Sequence, residues 1–355
     1  METIRSRRRG STARRIGALA ILGVGLLTGC AGQGGGGVPE SAWFGGYVNV
    51  TSVPRYEFES QDTASQGRTV LSFVVSDTDD ACTPSWGGYY GLDDAAEKLD
   101  LDTRIDTLRS NGGDVVVSFG GQSGTELATG CEDADELYEA YSAVVERYDL
   151  DAVDLDIEMD DLQNSDAGSR RAEAVARLQE ERPDDDPLEV WVTLPVGKEG
   201  LDEQSQQTVA QLLEAGVDLA GVNLMTMNYG DGKDSDQSSY DASVAAARAA
   251  QTQVKELYGS AGQELSDEQA WQHLGLTPMI GRNDVDGEVF DLAAAQQLNE
   301  FAREQGVGRL SLWSLDRDRA CTTDESAAQR ASGVCSGVEQ QDGDFTRALA
   351  EQYPR

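Results

Sequence analysis

The sequence predicts a single α/β protein, a (β/α)8 barrel in which eight parallel strands alternate with helices. Eight short apolar or β-branched runs recur along the chain, and helical patterns lie between them. The length of 355 residues suits one such barrel once a leader segment is set aside. An open doubly wound sheet usually needs fewer strands. We therefore expect one barrel domain without an internal repeat.

From the second strand onward, the predicted strands and helices alternate along the chain. The strands are expected at residues 43–50, 68–75, 114–119, 150–158, 188–194, 221–227, 275–280 and 310–315. The helices are expected at residues 93–110, 132–147, 167–181, 203–215, 240–258, 292–305 and 343–352. Gly45 and Gly46 weaken the first strand, because glycine is depleted in strands. In a barrel of this kind, functional residues lie at the C-terminal ends of the strands.

The first forty residues form a separate unit. Residues 1–30 join an arginine-rich start to a short apolar run that ends in Leu27-Thr28-Gly29-Cys30. These features are typical of an export signal, and the ending resembles the bacterial lipobox, whose cysteine becomes lipidated. Residues 31–40 are glycine-rich and predict a flexible tether, which leaves residues 41–355 for the barrel. We expect an exported protein, either secreted or lipid-anchored to the outer face of the cell membrane through Cys30.

The formal net charge of −36 argues against a nucleic-acid partner. Contacts to phosphate groups need clustered Lys and Arg side chains. Such an acidic balance is typical of a solvated surface, and we expect a monomer.

Four cysteines remain when the lipobox cysteine is set aside. An even number in an exported protein indicates disulfides, and four cysteines allow three pairings. Cys321 with Cys335 would close a short loop, and Cys82 with Cys131 would join two neighbouring loops; we favour this pairing. We expect no metal site, because the cysteine spacings do not suit zinc and the chain has a single histidine.

The most informative stretch, residues 151–158, reads Asp-Ala-Val-Asp-Leu-Asp-Ile-Glu. Strand alternation places Asp154, Asp156 and Glu158 on one face, with successive Cα atoms of the row roughly 6–7 Å apart. Three carboxyl groups in one row resist ionising together. A site that holds a protonated acid beside an ionised partner benefits from such crowding. Taken alone, the row could also bind a cation such as calcium.

This row resembles the active-site signature of glycoside hydrolase family 18, the chitinase family. That signature is D-G-x-D-x-D-x-E at the end of the fourth barrel strand. Asp151, Asp154, Asp156 and Glu158 match it, and Ala152 replaces the usual glycine. The resemblance implies a (β/α)8 barrel with hydrolytic activity on chitin and no cofactor.

Two other strands carry further parts of the resemblance. The family's third-strand motif, S-x-G-G, is matched by Ser118-Phe119-Gly120-Gly121, where glycine would let the backbone pass close to the acidic strand. Family members place a tryptophan at the end of strand eight as the floor of the central sugar subsite, and Trp313 fits this position. The residues around strands seven and eight look like a bacterial and archaeal subgroup. Two motifs on the right strands favour catalysis over cation binding.

The sixth strand departs from the family pattern, which is commonly M-x-Y-D. Met227-Asn228-Tyr229-Gly230 lacks the aspartate, and the register two residues earlier, Met225-Thr226-Met227-Asn228, lacks the tyrosine. We expect Tyr229 to supply the hydroxyl group, Asn228 to take the polar role of the aspartate, and Met227 to contact substrate.

Family 18 enzymes use the substrate's own N-acetyl group rather than a second carboxylate as nucleophile. The resemblance implies that Glu158 protonates the leaving oxygen and that Asp156 stabilises the oxazolinium ion. Asp154 would hold the partner proton, and Tyr229 would orient the acetamide. The product would retain its anomeric configuration.

The leading hypothesis is an endo-acting chitinase that binds chitin or chito-oligosaccharides. One rival is an endo-β-N-acetylglucosaminidase that cuts N-glycans. Another is a chitin-binding lectin, although such lectins typically lose the acid and Glu158 is present. A third, a solute-binding lipoprotein, usually has two lobes, which eight strands do not support.

Overall fold

The computed structural model describes residues 38–39, 41–64, 67–183, 185–233, 237–322 and 330–354. All of them belong to one compact unit, Gly36–Arg355. The predicted export signal and Cys30 lie outside the described residues, as does the predicted tether apart from Val38 and Pro39. In the described part of the chain, no helix combines the length and the apolar character that a bilayer crossing requires.

The strands and helices of the described residues are numbered here in chain order. The strands are β1 (Trp43–Asn49), β2 (Arg68–Ser76), β3 (Pro84–Trp86), β4 (Tyr90–Gly91), β5 (Asp114–Gly120), β6 (Ala152–Asp156), β7 (Glu189–Pro195), β8 (Leu219–Met225), β9 (Leu274–Thr277), β10 (Gly281–Arg282), β11 (Val289–Phe290) and β12 (Arg309–Leu310). The helices are α1 (Gln61–Ala64), α2 (Leu92–Lys98), α3 (Leu101–Ser110), α4 (Leu127–Gly130), α5 (Ala134–Tyr148), α6 (Ser165–Glu180), α7 (Glu203–Glu214), α8 (Ser239–Ser260), α9 (Asp267–Gln272), α10 (Leu292–Gln305) and α11 (Asp344–Ala350).

Eight parallel strands close into the predicted barrel. Their order around it is β1-β12-β9-β8-β7-β6-β5-β2, and β1 also pairs with β2, which completes the ring. Each of these strands overlaps one of the eight predicted from sequence. The strands β3 and β4 add an antiparallel extension to β2, and β10 pairs with β11 as a separate hairpin. These four short strands were not predicted.

Apolar side chains fill two separate regions. The larger region lies between the sheet and the helices, and amphipathic helices such as α5 contribute to it with Leu137, Tyr141 and Val144. The smaller cluster contains Trp43, Tyr47, Val70, Val116, Ala152 and Trp191, contributed by five of the barrel strands. The barrel thus has a solid core, as expected for an eight-stranded barrel.

Several element boundaries differ from the sequence prediction. The helix predicted at residues 93–110 is wrong as a single helix, because α2 and α3 are separated at Asp100, whose φ of 54° is left-handed. This break buries both Leu99 and Leu101. Strand β6 ends at Asp156, two residues earlier than predicted, so Glu158 follows the strand. The two glycines of β1 are tolerated because the neighbouring packing leaves little room for side chains: a Cβ on Gly46 would lie 2.6 Å from Leu315.

Both predicted disulfides are confirmed. Cys82 is bonded to Cys131, and Cys321 is bonded to Cys335. Among the described residues, Glu136 lies near the first pair in a group with metal-ligand geometry. Because both sulfurs of that group are in a disulfide, they cannot serve as thiolate ligands.

Candidate active site

The carboxyl row lies at the C-terminal end of β6, where the sequence predicted it. Asp154 and Asp156 are 0% and 4% exposed inside the strand, and Glu158, just beyond it, is 7% exposed. Strand β5 aligns Ser118 with Asp154 and Gly120 with Asp156. The two sequence motifs are therefore direct neighbours in the barrel wall.

Gly120 and Gly121 act through the backbone. A Cβ on Gly120 would lie 2.1 Å from the carbonyl oxygen of Asp156, and one on Gly121 would lie 2.8 Å from the ring of Phe73. Both glycines have left-handed φ values of 99° and 85°, which side chains disfavour. The N–H of Gly121 donates a hydrogen bond of 2.8 Å to the Asp156 carbonyl oxygen. Neither glycine lines the cavity described below, so both hold the acidic strand rather than contact a substrate there.

Asp154 is enclosed by hydrogen-bond donors. Its Oδ2 atom accepts from the hydroxyl groups of Tyr47 (2.9 Å) and Ser118 (2.7 Å). Its Oδ1 atom accepts from Thr193 Oγ1 (2.7 Å) and from Arg309 Nη1 (2.6 Å). These four donors, one of them the buried Arg309, hold the Asp154 carboxyl group in one position.

The pKa values of Asp156 and Glu158 are both raised, which favours the protonated forms of these two carboxyl groups. Burial, the nearby Glu158 and Asp154 raise the pKa of Asp156 well above its usual range. Burial and the charge of Asp161 raise the pKa of Glu158 to about 7. The Oδ1 atom of Asp156 is buried without a hydrogen-bond partner among the described residues. A carboxyl pair of this kind titrates as a unit and can hold a proton near neutral pH.

An open cavity lies above this pair. Its lining residues come from the ends of most barrel strands and the loops that follow them: Tyr47, Phe73, Gln122, Asp156, Glu158, Thr193, Met225, Met227, Asn228, Thr277, Met279, Asp284 and Trp313. Trp313 lies where it was predicted and stacks on Phe73, with ring centroids 5.5 Å apart and an interplanar angle of 21°. Aromatic faces and polar groups together are suited to a sugar ring.

Tyr229 does not reach this cavity. Its hydroxyl group lies 3.5 Å from Ser243 Oγ on α8, and its ring belongs to the core between the barrel and the helices. Its backbone N–H donates to Glu288, and burial raises the pKa of the phenol further above its usual value. The predicted role of Tyr229 in orienting substrate is therefore wrong. Strand β8 ends at Met225, so the alternation of a strand no longer applies four residues later.

Met227 and Asn228 line the cavity. Asn228 has a left-handed φ of 54°, and its amide group bridges to the loop after β10. Its Nδ2 atom donates to Asp284 Oδ2 (3.3 Å), and its Oδ1 atom accepts from the Asp284 N–H (2.9 Å). The carboxylate of Asp284 thus lies beside Asn228, the residue expected to take the role of the aspartate in the family pattern.

Sequence reasoning missed several cavity residues. Tyr47 and Phe73 lie in apolar strand patterns that gave no functional signal, and Thr193 and Gln122 lie at strand ends without a motif. Asp284 offered a weak signal, since it is a polar residue after the seventh strand. The geometry that joins them depends on barrel closure, which no local pattern contains.

The site can protonate a leaving group and stabilise a cation. Glu158 supplies an acid whose pKa is about 7, and the buried carboxyl of Asp156 lies beside the place where positive charge would form. No third carboxylate of the row is free to act, because Asp154 is already paired. The arrangement suits general acid catalysis at an acetal or glycoside bond.

Comparison with curated proteins finds two relatives of similar identity. The chain is 31% identical over 295 residues to a probable bifunctional chitinase/lysozyme of Escherichia coli (strain K12), which covers 79% of this chain and 32% of that protein. It is 31% identical over 296 residues to endochitinase 11 of Metarhizium anisopliae, which covers 79% of this chain and 54% of that protein. The chain thus spans about a third and about half of these relatives. A scan against protein-family models finds no match.

Solved structures extend the comparison. The catalytic domain of a hyperthermophilic chitinase from Pyrococcus furiosus is 27% identical, with a TM-score of 0.74, covering 89% of this chain and 96% of that chain. A GH18 chitinase from Pseudoalteromonas aurantia shares the fold at 16% identity and a TM-score of 0.52, covering 77% and 94% of the two chains.

The closed barrel with its acidic strand end, together with these similarities, identifies a glycoside hydrolase. Both curated relatives carry chitinase names and the solved structure is the catalytic domain of a chitinase, so the chain is similar to chitinases in sequence and in fold.

Proposed function

We propose that the protein is an endo-acting chitinase that hydrolyses β-1,4-linked N-acetylglucosamine polymers with retention of configuration. The observation that carries the proposal is the pairing of Glu158 and Asp156 beneath a cavity whose wall is the stacked Trp313 and Phe73. The relatives named as chitinases support the same substrate class.

In the proposed reaction, Glu158 donates its proton to the glycosidic oxygen as the bond to the anomeric carbon breaks. The carbonyl oxygen of the substrate's N-acetyl group forms a new bond to that carbon, which gives an oxazolinium ion. Asp156 accepts a hydrogen bond from the acetamide N–H and balances the positive charge. Glu158 then takes a proton from water, which opens the ring and restores the acid.

The positive charge of the intermediate explains how a buried Asp156 can serve as the anion. In the free site, burial and neighbouring carboxyl groups raise its pKa, which opposes ionisation. A cation formed next to it favours its charged form. When Glu158 holds the proton that the pair shares, Asp156 is the anion, and its stabilisation of the intermediate's positive charge lowers the reaction barrier.

Asn228 and Asp284 take the polar role that sequence reasoning had divided between Asn228 and Tyr229. Their side chains face the cavity as a hydrogen-bonded pair. In this proposal, Asn228 and Asp284 form hydrogen bonds with hydroxyl or acetamide groups of the sugar. Met227 and Trp313 contact its apolar faces.

A direct test compares the parent protein, without residues 1–30, with Glu158→Gln on chitotetraose. We expect the parent to release shorter oligomers and the variant to lose at least about 10²-fold in kcat, because general acid catalysis contributes about that much or more. Asp160→Asn, a change at a neighbouring exposed acid, is the matched control and should keep parent activity.

The product's initial anomer, read by NMR, tests retention: the β-anomer supports the proposal. Activity on a high-mannose N-glycan with none on chitotetraose would instead indicate an endo-β-N-acetylglucosaminidase. Binding of chitotetraose without cleavage by the parent would indicate a lectin.

We further propose that the protein is exported and acts as a monomer, with Cys30 as the site of a lipid anchor, and that it belongs to a bacterial and archaeal subgroup of the family. The support is the Leu27-Thr28-Gly29-Cys30 sequence and two disulfides, which persist in oxidising surroundings. Metabolic labelling with a palmitate analogue should mark the full-length chain and leave its Cys30→Ser variant unlabelled.

A further inference from the structure

The turn that carries Asn228 is held by a buried carboxylate from another loop. Glu288 is 6% exposed and ends the segment that joins β10 to β11. Its Oε2 atom accepts the backbone N–H of Tyr229 (3.0 Å), and its Oε1 atom accepts the N–H of Gly230 (2.6 Å). The two oxygens of one side chain therefore bind the two consecutive peptide groups that follow Asn228.

This support is needed because the turn has an unfavourable backbone conformation. Asn228 has a φ of 54° and Gly230 a φ of 53°, both in the left-handed region that side chains disfavour. Such conformations persist where the surrounding structure fixes them. Hydrogen bonds from backbone N–H groups to a carboxylate are stronger than those to neutral acceptors. Glu288 thus stabilises the turn that directs Asn228 into the cavity and Tyr229 toward α8.

The loop that ends in Glu288 also fixes Asn228 itself. The Asn228 N–H donates to Asn283 Oδ1 (3.1 Å), and Asn228 Oδ1 accepts the backbone N–H groups of Asp284 (2.9 Å) and Val285 (3.4 Å). Asn283 is 5% exposed, and its Nδ2 atom donates to the Met279 carbonyl oxygen (2.8 Å). The amide oxygen of Asn228 is therefore turned toward the backbone of this loop.

The orientation of the amide decides what the pair offers to a ligand. With its oxygen turned to the loop, Asn228 donates from Nδ2 to Asp284 Oδ2 (3.3 Å). Asp284 is exposed and lines the cavity, and its carboxylate has about four acceptor positions, of which Asn228 occupies one. Asp284 can therefore accept from hydroxyl or amide N–H groups of a sugar while Asn228 holds it in place.

We propose that Glu288 is a positioning residue for substrate binding. It fixes the turn at residues 228–230, and the turn fixes the pair of Asn228 and Asp284 that faces the sugar. Glu288 is not among the residues that line the cavity, so it acts through this pair. The consequence for substrate binding rests on the proposed function, whereas the geometry of the turn does not.

The first test follows the turn directly and needs no activity. Amide hydrogen exchange, measured by NMR in ¹⁵N-labelled protein, should be at least about 10-fold faster at Tyr229 and Gly230 in Glu288→Ala than in the parent. Glu288→Gln should show a smaller effect, because its amide keeps one acceptor oxygen and replaces the other with a donor. Amides of α10 should exchange as in the parent. Unchanged exchange at Tyr229 and Gly230 in Glu288→Ala would overturn the proposal.

The second test separates positioning from stability by kinetics on chitotetraose. Glu288→Gln should raise KM at least about 5-fold and keep kcat within about 2-fold, because the lost contact acts equally on bound substrate and transition state. A merely structural role would reduce the active fraction, and therefore kcat, at constant KM. Asp133→Ala is the matched control, since Asp133 Oδ1 also accepts two backbone N–H groups, at the start of α5. It should lower stability and leave KM unchanged.

A double-mutant cycle shows whether Glu288 acts through Asn228. In an Asn228→Ala background, adding Glu288→Gln should change KM by less than about 2-fold. Effects that multiply would contradict the proposal. If Glu288→Ala fails to fold, Glu288→Gln, which keeps the size of the side chain, carries both tests. If the parent does not cleave chitotetraose, the proposed function fails, and hydrogen exchange at Tyr229 and Gly230 still tests Glu288.

Discussion

At the residue scale, the acidic row places catalysis and stability in opposition. Asp156 is buried with one carboxyl oxygen unpartnered, and its pKa and that of Glu158 are raised. Both carboxyl groups are therefore more easily ionised in the unfolded chain than in the folded protein. Such a site lowers stability in return for function.

Because folding raises both pKa values, the loss of stability at the acidic row depends on pH in a predictable direction. A carboxyl group whose pKa is raised on folding destabilises the folded state progressively as the pH rises from the unfolded pKa, about 4, through the folded value. For Glu158 that folded value is about 7. Asp156→Asn removes one of the two groups. We expect it to raise the melting temperature at pH 8 by at least about 2 °C and to raise it much less at pH 4.

Differential scanning calorimetry at both pH values checks this expectation. Asp160→Asn removes an exposed carboxyl nearby and should show no pH-dependent gain. A gain in Asp156→Asn that is equal at both pH values would point to packing rather than to charge and would contradict the argument.

At the element scale, the contact between β5 and β6 fixes the geometry of the site. The chain can pass this close only because Gly120 has no side chain, as a Cβ there would lie 2.1 Å from the Asp156 carbonyl oxygen. The sequence motif and the acidic row are thus two halves of one structural feature. Both halves are visible in the sequence, and the glycines predict that the two strands approach closely.

A matched pair of glycine variants tests this contact. Gly112 has a φ of 92°, similar to the 99° of Gly120, but nothing lies within 4 Å of its Cβ position. Gly112→Ala should cost about 1–2 kcal/mol from backbone strain alone. Gly120→Ala should cost at least about 2 kcal/mol more, since the backbone must shift, and should reduce kcat strongly.

Urea unfolding and kinetics on chitotetraose check these values. Equal destabilisation by the two variants would show that backbone strain alone accounts for the cost at Gly120. The contact between β5 and β6 would then be loose enough to accept a side chain.

Beyond the end of β8, the sequence no longer predicts which way a side chain points. Alternation predicts which face a residue occupies only while the strand continues, and β8 ends at Met225. The left-handed turn at Asn228 then directs Asn228 into the cavity and Tyr229 toward α8. A motif read along the chain could not distinguish these two directions.

At the scale of the whole molecule, the charge of −36 dominates the surface. Like charges repel one another across a compact surface, and salt screens this repulsion. We expect the melting temperature to rise by about 3 °C or more between about 20 mM and about 500 mM NaCl. Tetramethylammonium chloride at equal ionic strength should act similarly if screening is the cause.

Because chito-oligosaccharides are uncharged, the same salt change should leave KM for chitotetraose nearly constant. A melting temperature that falls with salt would mean that attractive ion pairs, such as the exposed pairs of Arg147 with Asp93 and Asp102, outweigh the net repulsion.

The sequence by itself determined the barrel and the location of the acidic row, and its even number of cysteines indicated disulfides whose pairing the structure fixed. These features follow from strand periodicity, cysteine number and the order of motifs, all of which are local or countable. Tertiary structure decided which neighbours each acid has. Arg309 pairs with Asp154 across 155 positions of sequence only because the barrel closes, and Tyr229 faces away from the cavity because its strand has already ended. Contacts across a closed barrel depend on every strand at once, and no local pattern encodes them.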